Sequence, residues 1–153
     1  MRGLDRFTIE AMSISAPRVV GVSPAEAVEV VQASVEGLPV IVRLPLTRAE
    51  ELGAAAYQAG AAVVSLGPPR GALPGPDAKL VYGREYGPGV FPSALYSVSA
   101  LVERGVPVIG GGGVYRPEQV EIMLAAGAVA VQLDTVLWRG DWFKKSTQQE
   151  VSD

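Results

Sequence analysis

The chain has 153 residues, of which 48% are hydrophobic and 19% charged, with a formal net charge of −3 at neutral pH. Its apolar runs are short, none nearing the roughly 20 residues of a bilayer span, and 13 Lys and Arg with no basic cluster beyond Lys144-Lys145 give no footprint for nucleic acid. There is no Cys and no His, which excludes disulfides, thiolate nucleophiles and the commonest general base and transition-metal ligand.

The first residues, Met1 to Glu10, are broken by Arg2, Asp5, Arg6 and Glu10, so the apolar centre of a secretory signal is missing and a cytoplasmic location is expected. A strand is predicted over Phe7–Ser15. Ser23-Pro24-Ala25-Glu26 reads as a capping box opening a helix over about Ser23–Glu36, stopped at Gly37. Leu38–Leu44 is the next strand, and Thr47-Arg48-Ala49-Glu50 repeats the box for a helix over Thr47–Ala59, stopped at Gly60. Ala61–Leu66 is a third strand, followed by a Pro/Gly-rich loop from Gly67 to Pro88 of a length usually tied to function. A helix over Pro92–Arg104, a stop at Gly105 and a strand over Val106–Gly110 come next. Gly111, Gly112 and Gly113 then lead to a helix over Pro117–Ala126, a stop at Gly127, a strand over Ala128–Leu133 and a last helix over Thr135–Lys145.

The stops recur at steps of one β/α unit with one interval doubled. The strands are nearly continuous Val, Ile, Leu and Ala, as burial on both faces of a parallel sheet requires. That alternation suits an open doubly wound sheet or part of a (β/α)₈ barrel. A full barrel needs eight strands and about 250 residues, so about five parallel strands make a partial TIM barrel. The expected organisation is one half-barrel-like domain over 1–153 with a polar tail at 144–153. Glycines running from a strand into a helix start let several backbone N–H groups crowd one anion, and the helix N-terminus adds partial positive charge. The next strand end, Gln132-Leu133-Asp134-Thr135, lies where such barrels complete a phosphate site. A phosphate-bearing small molecule is the expected partner.

From Ile9 to about Trp138 the chain resembles the C-terminal part of dihydroorotate dehydrogenase, a flavin-mononucleotide barrel. Ile14-Ser15-Ala16-Pro17 is similar to the end of that family's Asn-Ile-Ser-Cys-Pro-Asn strand and turn. Pro39-Val40-Ile41-Val42-Arg43-Leu44 resembles its Pro-Val-Ile-Val-Lys-Leu strand, and Gly83 to Pro88 its Gly-Gly-Leu-Ser-Gly loop. Ile109 to Val114 resembles the Ile-Gly-x-Gly-Gly-Ile cofactor turn, and Val131 to Thr135 the Val-Gln-Val-Gly-Thr strand end. The resemblance implies an FMN-dependent oxidoreductase fold in which Gly111, Gly112 and Gly113 form the phosphate turn and Thr135 completes the cup. It implies that Gly83 and Gly87 border the cofactor, and that Arg43 stands where the family's Lys approaches the flavin ring.

Departures from the family pattern change what is expected of the chemistry. Asp134 occupies the position of a phosphate-loop Gly; a carboxylate about 5 Å from a phosphate charge costs roughly 3 kcal/mol at an effective dielectric near 20. Pairing with Arg116 or Arg139 would relieve it. The Asn side chains that hold the pyrimidine ring are absent, with Ser13, Arg18 and Gly67-Pro68 in their places. The family's Cys or Ser base has no clear counterpart: Ser13, Ser15 and Ser65 sit near strand ends, and Tyr82, Glu85 and Tyr86 lie in the long loop. No catalytic residue is assigned, and no metal site. An open barrel edge calls for a homodimer or a partner chain, with Trp138, Trp142 and Phe143 as candidate contacts. Two other readings stay open: a non-catalytic half-barrel assembly subunit, and a phosphate-ester-binding barrel without flavin.

Overall fold

The computed structural model describes residues 12–15, 23–34, 39–139 and 142. The first capping box forms as expected. Ser23 N–H donates to Glu26 Oε2 at 2.7 Å and Glu26 N–H donates to Ser23 Oγ at 3.2 Å, opening α1 over Pro24–Ser34. The second box does not form. Pro45 fixes an extended entry, the buried Leu46 pins a 3₁₀ turn over Leu46–Arg48, and α2 (Ala49–Gln58) starts behind it with no side-chain cap. Arg48 turns instead to Glu51, Nη2 lying 2.7 Å from Oε1. The helix stops at Gly60, Gly105 and Gly127 all take positive φ, at 109°, 73° and 97°, the left-handed conformation that ends helices.

Among the described residues the strands are β1 (Met12–Ser15), β2 (Val40–Pro45), β3 (Val63–Gly67), β4 (Arg70–Pro74), β5 (Leu80–Arg84), β6 (Val108–Gly111) and β7 (Ala130–Gln132). Five of them form one parallel sheet in the order β1-β2-β3-β6-β7. The remaining helices are α3 (Phe91–Val102), entered through a 3₁₀ turn at Pro88–Val90, and α4 (Pro117–Ala125). This is a partial (β/α) barrel. The expected last helix begins as a 3₁₀ turn over Thr135–Arg139; most of its remainder, the tail at 144–153, Gly37, Arg18 and Phe143 lie outside the described residues.

The segment expected to be a loop, Gly67 to Pro88, is instead a β-hairpin. β4 and β5 pair antiparallel with Arg70 opposite Arg84, Gly71 opposite Gly83 and Leu73 opposite Val81. Gly75 and Lys79 close the turn, the Gly75 N–H donating to the Lys79 carbonyl at 2.7 Å, with Ala78 at φ 58°. Its strands escape sequence reading because β5 is exposed along its whole length and so has no inside-outside alternation. Glycines and Pro74 further depress its strand signal.

The core lies between the sheet and its helices. Val40, Val42 and Leu44 of β2, Val64 and Leu66 of β3 and Val108 of β6 are buried against Leu52 and Ala56 of α2, Ala94, Val98 and Leu101 of α3, and Met123 of α4. Burial on both sheet faces was the expectation, and it holds along β3 and most of β6, where successive residues are buried. Along β2 buried residues alternate with half-buried ones, so Ile41, Arg43 and Pro45 look onto a partly open inner face. No helix among the described residues is long and apolar enough to cross a membrane.

Candidate functional site

A cleft forms at the carboxyl ends of the parallel strands. Arg43 from β2, Pro68 after β3, Gly87 after the hairpin, Gly112 and Gly113 after β6, and Asp134 and Thr135 after β7 all line it. Six of the eight expected cofactor residues therefore meet: Arg43, Gly87, Gly112, Gly113, Asp134 and Thr135. Two do not. Gly111 is buried at the end of β6, where a Cβ would stand 3.4 Å from Gln132 Cβ; its small size serves strand packing. Gly83 sits in the hairpin and faces a different, larger groove.

Gly112 and Gly113 have φ of 108° and 70°, so both must be glycine for the chain to turn there. Packing adds to the demand. A Cβ on Gly112 would stand 3.2 Å from Val90 Cγ1, and one on Gly113 only 2.8 Å from Phe91 Cα. The turn is thus pressed against the entrance of α3, and the glycines are needed by the fold as well as by any ligand. Beyond the turn, Gln119 Oε1 accepts the N–H groups of Tyr115 at 2.8 Å and Arg116 at 3.0 Å, which starts α4. The Gly112 N–H faces β7 through the Gly111–Gln132 pairing, while among the described residues no hydrogen bond uses the amides of Gly113 or Val114, leaving two successive donors for an anion.

The two loops of the cup are tied together by a contact that sequence reasoning missed. Tyr115 Oη lies 2.7 Å from Thr135 Oγ1, and the Arg139 guanidinium stands 5.8 Å from the centroid of the Tyr115 ring, within cation–π range. When the phenol donates, the Thr135 hydroxyl hydrogen is left for a ligand oxygen. The pair spans 20 positions, so no local motif announces it. Asp134 is exposed and, among the described residues, paired with neither Arg116 nor Arg139. Glu85 also lines the cleft. One cation, two free amides and a hydroxyl therefore work against two carboxylates.

The cleft encloses about 30 Å³, room for two or three water-sized groups. That is the scale of one phosphate and far below that of a ring system. The donor set, Arg43 included, fits a phosphate group. Of the candidate acid–base residues, Ser65 is buried with Oγ 3.3 Å from Gln132 Oε1, and Tyr82 is 74% exposed on the hairpin. The side chains of Ser13 and Ser15 lie outside the described set. Among the described residues no arrangement of nucleophile and base emerges. Trp142 packs against the core and Trp138 is 84% exposed.

No family model matches the sequence, and no curated protein matches it. Among solved structures, the chain is similar to dihydroorotate dehydrogenase (DHODH) from Eimeria tenella, determined in complex with ferulenol. The TM-score is 0.67 at 14% sequence identity, covering 92% of this chain and 48% of that one. The likeness shows a DHODH-like fold, and the chain spans just under half of that protein's length.

Proposed function

We propose that this chain binds a phosphate ester in the cup between the β6 and β7 loops, and that the ester is flavin mononucleotide. The carrying observation is the convergence of Gly112, Gly113, Thr135 and Arg43 on one phosphate-sized cleft at the strand carboxyl ends. Loops after the last strands of such barrels are a recurrent phosphate site. The choice of flavin rests on the DHODH-like fold and on Arg43, a half-buried strand-end cation whose charge suits a reduced, anionic flavin ring. Bound flavin supplies redox capacity. The chain's own residues supply the grip: amides and the Thr135 hydroxyl on the phosphate oxygens, with Arg43 beside the ring. Asp134 and Glu85 oppose the ligand's charge and weaken that grip.

The small volume of the cup favours a second reading, a phosphate-ester-binding barrel that takes no flavin. Equilibrium dialysis separates the two. Retention of FMN but not riboflavin, with inorganic phosphate competing, is the expected result. Retention of a sugar phosphate but not FMN favours the second reading, and retention of neither overturns both.

A further inference from the structure

The hairpin stands off α3 and the 3₁₀ turn before α2, and between them runs a groove of about 1120 Å³. The phosphate cup does not explain it, although Glu85, Tyr86 and Val90 border both. Alternation along a strand puts Val81, Gly83 and Glu85 on one face of the hairpin, with Leu73 and Gly71 opposite the first two. Glu85 lies across Gly71, its side chain filling the space a Cβ there would take. Gly83 is different. Its φ is not positive, and a Cβ on it would meet nothing within 4 Å. Neither backbone conformation nor packing calls for glycine there; what its bareness does is keep the groove floor open beside the Glu85 carboxylate. Leu73 is 75% and Val81 60% exposed, and across the groove Tyr96 of α3 is 66% exposed.

We infer that this groove binds a small molecule with a flat ring and a cationic N–H donor group, an aryl amidine or protonated amine. The ring lies on the bare peptide surface at Gly83 between the Leu73–Val81 pair and Tyr96, apolar walls of the kind that ligand pockets favour. Its cationic group meets Glu85, whose side chain has no hydrogen bond or ion pair among the described residues. Glu50, at the α2 side, also borders the groove and brings a second carboxylate to it. Arg70 and Arg84 border it too, but directly opposite each other on the hairpin they alternate onto the other face from Gly83.

Benzamidine, benzamide and benzoate share one ring and carry positive, zero and negative charge, so titrating the full chain with each by NMR tests the inference. Benzamidine is expected to bind with a Kd of about 1 mM, a value within reach of so small a ligand, and benzamide about tenfold more weakly, the loss of one charge-assisted contact. Benzoate is expected not to bind. Glu85→Gln should bring benzamidine down to the level of benzamide. Gly83→Val, which fills the floor and suits a strand, should abolish both without lowering the melting temperature. Tyr96→Ala on α3 gives an independent reduction should the hairpin variant fold poorly. Benzoate binding as well as benzamidine, affinities indifferent to Glu85→Gln and Tyr96→Ala, or no response to any of the three ligands would overturn the inference. FMN retention is measured separately, so either site can fail without the other.

Discussion

At the scale of single residues, the cup is a balance of one cation, free amides and one hydroxyl against two carboxylates. Asp134 is the residue that most weakens it. Because it is exposed, water screens its repulsion toward the value at high dielectric, about 1 kcal/mol per unit charge at 5 Å. Asp134→Asn is therefore expected to tighten FMN binding several-fold in calorimetric titration, with a smaller gain at high salt. Tyr115→Phe removes the hydroxyl that holds Thr135 at 2.7 Å. A net loss of about 1 kcal/mol predicts a several-fold weaker FMN complex, while the ring and its contact with Arg139 remain. Arg43, Gly112, Gly113, Asp134 and Thr135 were legible because each belongs to a strand end or a glycine turn, features written locally in sequence. Tyr115 was not, because its role exists only once the two loops meet.

Among the elements, α1 shows how far a local signal can be trusted. The Ser23 and Glu26 exchange was readable because both partners lie within one turn. The same pattern at Thr47 and Glu50 gave way to the tighter turn that buried Leu46 imposes. Hydrogen bonding from the Ser23 backbone, reinforced by its hydroxyl, holds the Glu26 carboxyl below its ordinary value. A carboxyl whose folded value is depressed stabilises fully above its unfolded value, about 4.3, and that contribution fades as pH falls through the lower folded value. Glu26→Ala is thus expected to lose helical signal relative to wild type near neutral pH, and the two curves should converge on acidification. A difference that grows toward low pH would refute this origin of the helix start. The hairpin was the element sequence hid. With both faces in solvent, β5 carries no period to read, and its Gly71–Gly83 pair resembles loop composition.

Over the whole molecule, the order of strands and helices was legible because parallel β/α units repeat the same start, stop and apolar run. The repeat fixed five adjacent strands and so placed the β6 and β7 loops side by side, which is what makes a cup from two separate glycine and threonine signals. Burial was less legible. Continuous apolar strands suggested cover on both faces, which β3 shows, yet along β2 the face around Arg43 stays half-open. An open face beside a phosphate-sized cleft fits a cofactor held by its phosphate and only bordered at its ring.

That geometry makes the phosphorus nucleus the most direct witness. In ³¹P NMR, FMN added to excess protein should give a shifted and broadened phosphate resonance, and Gly113→Ala, which presses a Cβ against Phe91, should return it to the free position. A phosphate line unchanged by the wild-type protein would contradict the account.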